Sequence, residues 1–282
     1  MPVHNSLARL AGLWLKRKAF CFGVLRFAFC LLSFLCLLPA VGIVMRAAQT
    51  PRGASAPPPP DDPVLLSVVQ LVAVGPADLE QNRECSATGF LIDEEGYLIT
   101  NAHVVDDAQR CLEKAAGAKM FAKLAIVDSR IARAVPCDVV ALDETNDLGL
   151  LKIERPLAAI LSGKPPYATL DARPVRAGTA VKVSGHPAFS WQPVTQTGHV
   201  LWIGRMELEE LHDPLRSPSD AVEIDIHLRP GNSGSPVYRP GGGVIAVVDK
   251  RNTLRPDYSF AVAIHYAVEL AERSGARWHA VD

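Results

Sequence analysis

The stretch Arg229-Pro230-Gly231-Asn232-Ser233-Gly234-Ser235-Pro236-Val237 sets one serine between two glycines, after one strand-like run and before another. A nucleophilic serine needs this setting. The chain must turn tightly to present the hydroxyl, and nearby N–H groups must aim at the oxyanion that forms during acyl transfer. Glycine permits the turn and the close approach of a substrate carbonyl. By itself the string is also an ordinary surface turn, so its meaning rests on residues upstream.

A serine nucleophile needs a base, and the base needs an orienting carboxylate. Gly89–Val105 reads as strand, Asp/Gly-bearing turn and strand, with His103 at the far end of the hairpin. Asn146-Asp147-Leu148-Gly149-Leu150-Leu151-Lys152-Ile153 places Asp147 at the head of a short apolar strand. Singly, His103 could be a half-buried core histidine and Asp147 a turn cap. Together the chain order is His103, Asp147, Ser233, one of several orders in which such triads occur.

The three blocks resemble those of the trypsin-like serine proteases, and within them the HtrA/Deg branch. Thr100-Asn101-Ala102-His103-Val104-Val105 is similar to that branch's Thr-Asn-x-His-Val-Val, and Asp147–Lys152 to its Asp-hydrophobic-Ala-Leu-Leu-Lys. Pro230–Pro236 is similar to Pro-Gly-Asn-Ser-Gly-Gly-Pro, with Ser235 in place of the second glycine. Ser184-Gly185-His186-Pro187 resembles the Gly-Asn-Pro turn, and Thr195–Val200 the Thr-x-Thr-x-Gly-x-Val strand. Asp225 also stands where the family carries an Asp, and Tyr258–Ile264 resembles the closing strand. The resemblance runs over about residues 64–270. It implies an all-β, chymotrypsin-like double β-barrel with catalytic His103, Asp147 and Ser233, and an oxyanion hole made by the N–H groups of Gly231 and Ser233. It places His227 at the base of a specificity pocket with Val247 and Val248 beside it. A packed strand histidine is the plainer reading of His227. The Asn-Ser-Gly-Ser-Pro-Val string also resembles glutamyl endopeptidases, but Val244–Val248 lacks their pocket histidine. Family resemblance further implies a trimer. Many HtrA/Deg proteases carry PDZ domains after this strand, and too few residues follow it here to hold one.

The net charge of −1 mixes both signs and argues for no nucleic-acid partner. No Cys/His set has zinc-ligand spacing and no phosphate loop occurs, so neither metal nor cofactor is expected. Arg9, Lys16, Arg17 and Lys18 lie in a basic segment, residues 1–18, ahead of an apolar run over 19–45. From Phe27 to Met45 that run is uncharged, long enough to cross a bilayer. The flanking cations predict a cytoplasmic N-terminus and an extracytoplasmic protease domain. With no good small-x-small cleavage site, an uncleaved anchor is favoured over a signal peptide. Residues 46–63 carry Pro57-Pro58-Pro59-Pro60 and read as an extended spacer, leaving 64–282 as the protease domain.

Of the six cysteines, Cys85, Cys111 and Cys137 fall in the outer domain. Cys85–Cys111, Cys111–Cys137 and three free thiols all remain open, the first pairing being favoured because its cysteines flank the His hairpin. Strands are expected at Val64–Val74, Ala180–Ser184, His199–Ile203 and Val244–Val248. Period-two alternation marks another at Val222–Leu228. Asp106–Leu124 reads as a helical or loop-like insertion, and a helix is expected from Tyr266 to about Ser274. The functional expectation is a membrane-anchored serine endopeptidase acting on polypeptides, unfolded ones among them, with a peptide-binding scaffold that has lost catalysis as the alternative.

Overall fold

The computed structural model describes residues 62–74, 85–113, 119–124, 133–161, 164–205, 220–252 and 255–282. The expected membrane segment, basic flank and most of the spacer lie outside these residues. Among the described residues no helix is long and apolar enough to cross a membrane.

The described chain opens with a short helix, α1 (Pro63–Ser67). Asp62 caps it by accepting the Leu65 N–H at 3.2 Å, and Pro63 takes the first helical position, where a missing N–H costs nothing. The expectation of a spacer through Pro63 and a strand from Val64 is corrected: cap and proline outweigh the apolar run for one turn. The strand β1 then spans Val68–Val74.

The first barrel follows the order β1-β2-β3-β6-β5-β4 and closes on itself. Its other strands are β2 (Ser86–Leu91), β3 (Tyr97–Thr100), β4 (Lys119–Leu124), β5 (Arg133–Asp143) and β6 (Leu148–Ile153). In the β2–β3 turn, buried Asp93 accepts the N–H groups of Gly96 and Tyr97 at 2.9 and 2.8 Å. The supposed insertion at Asp106–Leu124 is also corrected. Its first part belongs to helix α2 (Ala102–Leu112), which contains His103 itself. Its last part is β4, which pairs with both β1 and β5 and so closes the barrel. The two lysines of β4 obscured it; Lys123 is only 8% exposed, its ammonium 4.1 Å from the Trp191 ring centroid.

The second barrel repeats the plan as β7-β8-β9-β12-β11-β10. Its strands are β7 (Ala180–Gly185), β8 (Val194–Arg205), β9 (Asp220–Ile224), β10 (Pro236–Tyr238), β11 (Val244–Arg251) and β12 (Ser259–Ala263). The strand expected at Val222–Leu228 stops at Ile224. Glu223, which the alternation pointed outward, is buried and bonded to Arg255 and Asn252. Closed barrels leave no edge strand open to another chain.

Val181, Val200, Ile224, Val237 and Ile245 fill the second barrel, and Leu71, Leu91, Leu98, Leu151 and Ile153 fill the first. A third apolar cluster joins Phe90, Ile99 and Leu150 to Tyr238, Val247 and Leu270. It seats the last helix, α3 (Ile264–Arg273), against both barrels and fixes the cleft between them.

Candidate active site

Asp147 ends the turn before β6 with a left-handed backbone, φ 52°. Aspartate tolerates that region better than most residues. The turn is tied from two sides. The Asn146 N–H donates to Asp143 at 3.0 Å, and Asn101 Nδ2 donates to the Asp147 carbonyl at 3.0 Å. Both Asp147 carboxylate oxygens then meet one residue: the His103 N–H donates to Oδ1 at 2.9 Å, and His103 Nδ1 lies 2.6 Å from Oδ2. A carboxylate is an acceptor, so Nδ1 carries the proton and Nε2 is left as the basic nitrogen. Asp147 is 2% exposed, whereas His103 is half-buried and faces the cleft.

Ser233 arrives from the second barrel on the loop between β9 and β10. It lines the same cleft cavity as His103, and its Oγ is 3.4 Å from the Asp249 carbonyl oxygen. The backbone before it is pinned at consecutive carbonyls. The Ala188 N–H donates to Pro230 O at 2.7 Å, and the Thr88 hydroxyl donates to Gly231 O at 2.7 Å. With Pro230 O held toward Ala188, the Gly231 N–H across the same trans peptide points the other way. Neither the Gly231 nor the Ser233 N–H has an acceptor among the described residues. Gly231 holds φ 96°, and a Cβ there would strike the His186 carbonyl oxygen. Gly234, at φ 82°, leaves room for the Thr88 carbonyl in the same way. Two N–H groups beside a serine, with no competing acceptor, can stabilise an oxyanion.

The residues expected around a specificity pocket do not converge on one. His227 is exposed, with Nδ1 2.7 Å from Pro256 O. Val247 and Val248 are 0% and 2% exposed and pack into apolar clusters. Their strand serves the site through its backbone: the Gly234 N–H donates to Val248 O at 3.0 Å and the Val248 N–H to Ser235 O at 2.9 Å. The cavity that does open at His103 and Ser233 has a volume of about 210 Å³ and lies against the first barrel, walled by Leu71, Ala73, Val104 and Met120. A disulfide joins Cys85 to Cys111, tying the end of α2 to the start of β2. Cys137 is a buried thiol whose pKa burial pushes up to about 12, so it is inert.

Three site residues escaped the sequence reading. Thr88 and Asp249 carried no role in it, and His186 was matched only to a turn. The His186 N–H donates to the Thr88 hydroxyl at 3.0 Å and its ring lies 2.9 Å from Ser190 O. Burial lowers its pKa to about 4, and its Nε2 has no hydrogen-bond partner among the described residues. Asp249 had one visible signal, an acid at the end of the apolar run Val244–Val248.

Paired six-stranded barrels with His, Asp and Ser at their junction define the chymotrypsin-like class of fold. Residues 87–247 match the trypsin-like peptidase domain, and the chain belongs to that family. A probable periplasmic serine endoprotease, DegP-like, from Halomonas elongata is 27% identical over 68% of this chain and 36% of its own length. A relative described in the same words from Chlamydia trachomatis is 29% identical over 60% of this chain and 29% of its own length. The chain thus spans about a third of the length of these curated relatives. Among solved structures, the HtrA-type protease AlgW with a tripeptide aligns at TM-score 0.56 and 23% identity, over 74% of this chain and 60% of that one. The Rv3671c protease from M. tuberculosis, in its active form, aligns at 0.57 and 20%, over 81% and 95%. These likenesses carry the fold.

Proposed function

We propose that this chain is a serine endopeptidase. Ser233 Oγ attacks the peptide carbonyl while its proton passes to His103 Nε2. The Gly231 and Ser233 N–H groups receive the oxyanion, and His103 protonates the leaving amine as the C–N bond breaks. A water that gives its proton to His103 then hydrolyses the acyl-Ser233 ester and frees the serine. Asp147 fixes the imidazole tautomer and balances the imidazolium. The observation that carries this reading is the His103–Asp147 pair, 2.6 Å apart, opening onto the cavity that Ser233 also lines. The family relatives described as periplasmic endoproteases support a polypeptide substrate and an extracytoplasmic site of action. Anchoring through residues 19–45, trimer formation and a role in envelope protein quality control belong to the same proposal. The apolar cavity on the first barrel would favour a substrate with an apolar side chain beside the scissile bond. Casein digestion by the full chain and by its Ser233→Ala variant tests the reading. Turnover by the first and none by the second is expected. Equal peptide binding by both, without turnover, would instead make the chain a scaffold.

A further inference from the structure

On that reading, we infer that Asp249 is a second carboxylate of the site, one that shares with Asp147 the charge balance of His103. Asp249 lies on β11 and is 8% exposed. One side-chain nitrogen or oxygen from each of His103, Asp147 and Asp249 lies within 4.8 Å of the other two. The placement is built into the sheet. Between β11 and β12, Val248 pairs with Ala261 and Lys250 with Phe260, so the register shifts at Asp249. Such a bulge re-aims the extra residue. Here it brings the carboxylate to the triad while the Asp249 carbonyl faces Ser233 Oγ at 3.4 Å.

The other charges that border this group or its cavity among the described residues are more exposed. Lys250 Nζ is 3.9 Å from Asp249 Oδ2, and Asp107 on α2 borders the cavity that His103 lines. The β12 neighbours Phe260 and Ala261 are uncharged, and the serine loop contributes Arg229, which is exposed. Beyond Asp147, Asp249 is thus a buried carboxylate within 4.8 Å of a His103 ring nitrogen. When the Ser233 hydroxyl proton moves to His103 Nε2 as the Oγ–C bond forms, two carboxylates rather than one face the new positive charge. The proton then leaves on the amine as the C–N bond breaks. An anion this close favours the charged imidazole, so it raises the pH at which His103 becomes a free base and makes that base stronger.

The test is the pH dependence of fluorophosphonate labelling of the full chain against Asp249→Asn and Asp249→Ser. Both variants should shift the acid limb down by roughly one pH unit and lower the plateau several-fold. An acid limb and plateau that coincide with the wild type would overturn the inference while leaving the serine reading intact. A wild type that is never labelled would instead remove the serine reading. The titration of His103 followed by NMR on the Ser233→Ala background covers that case, because it needs no turnover. A His103 pKa unmoved by Asp249→Asn would overturn the inference there, and a lowered one would sustain the electrostatic coupling.

Discussion

The Thr88 hydroxyl lies 2.7 Å from the Gly231 carbonyl oxygen, although the two residues are 143 positions apart and in different barrels. The same hydroxyl accepts the His186 N–H, so one buried side chain of the first barrel fixes both segments that shape the oxyanion loop. Thr88→Val keeps the shape and removes both bonds. We expect kcat to fall by on the order of tenfold or more with KM little changed, since the hole serves the transition state. Thr88→Ser should restore most of it. Equal loss in kcat and in folding stability, with no rescue by serine, would reduce Thr88 to a packing residue.

Asp147→Asn should leave the fold intact and lower fluorophosphonate labelling about ten-thousandfold, because an amide can hold the wrong imidazole tautomer. Wild-type labelling by this variant would show that Asp147 only caps its turn.

His186 gives the site an acid sensitivity in stability. Its folded pKa, about 4, lies below the unfolded value near 6.5, so the unfolded chain binds the extra proton first. The burden is absent above pH 6.5 and grows as pH falls, reaching about 3 kcal/mol at pH 4. Asparagine can supply the same donor to Ser190 O without titrating. His186→Asn should therefore flatten urea-denaturation stability between these pH values. A variant that loses stability in acid as steeply as the wild type would refute this.

The Cys85–Cys111 bond closes a loop of 26 residues around the hairpin and the His103 helix. Replacing both cysteines by serine should cost about 2–4 kcal/mol of unfolding free energy. An unchanged denaturation midpoint would show that α2 is held by its apolar face alone.

Some of this architecture is legible in the sequence and some is not, for physical reasons. His103, Asp147 and Ser233 sit in short motifs whose glycines, turn residues and apolar runs act locally, so their blocks can be read along the chain. β4 was hidden because lysine stems can line a barrel wall, as Lys123 does under Trp191. The helix at Pro63 follows from a cap and a proline that the apolar run masked. Thr88 and Asp249 work through contacts between distant segments, one across barrels and one through a strand bulge; no local pattern encodes the first, and an acid closing an apolar run is the only trace of the second. His227, Val247 and Val248 were placed by resemblance alone; two are buried packing residues, and the third leans on the Pro256 carbonyl.

The central claim is that Ser233 is an activated nucleophile. The most direct measurement is fluorophosphonate labelling of the full chain beside its Ser233→Ala variant, with and without an unfolded protein present. The account predicts labelling of the wild type at Ser233 and none of the variant. Absence of wild-type labelling under both conditions, or labelling that survives in Ser233→Ala, would contradict it.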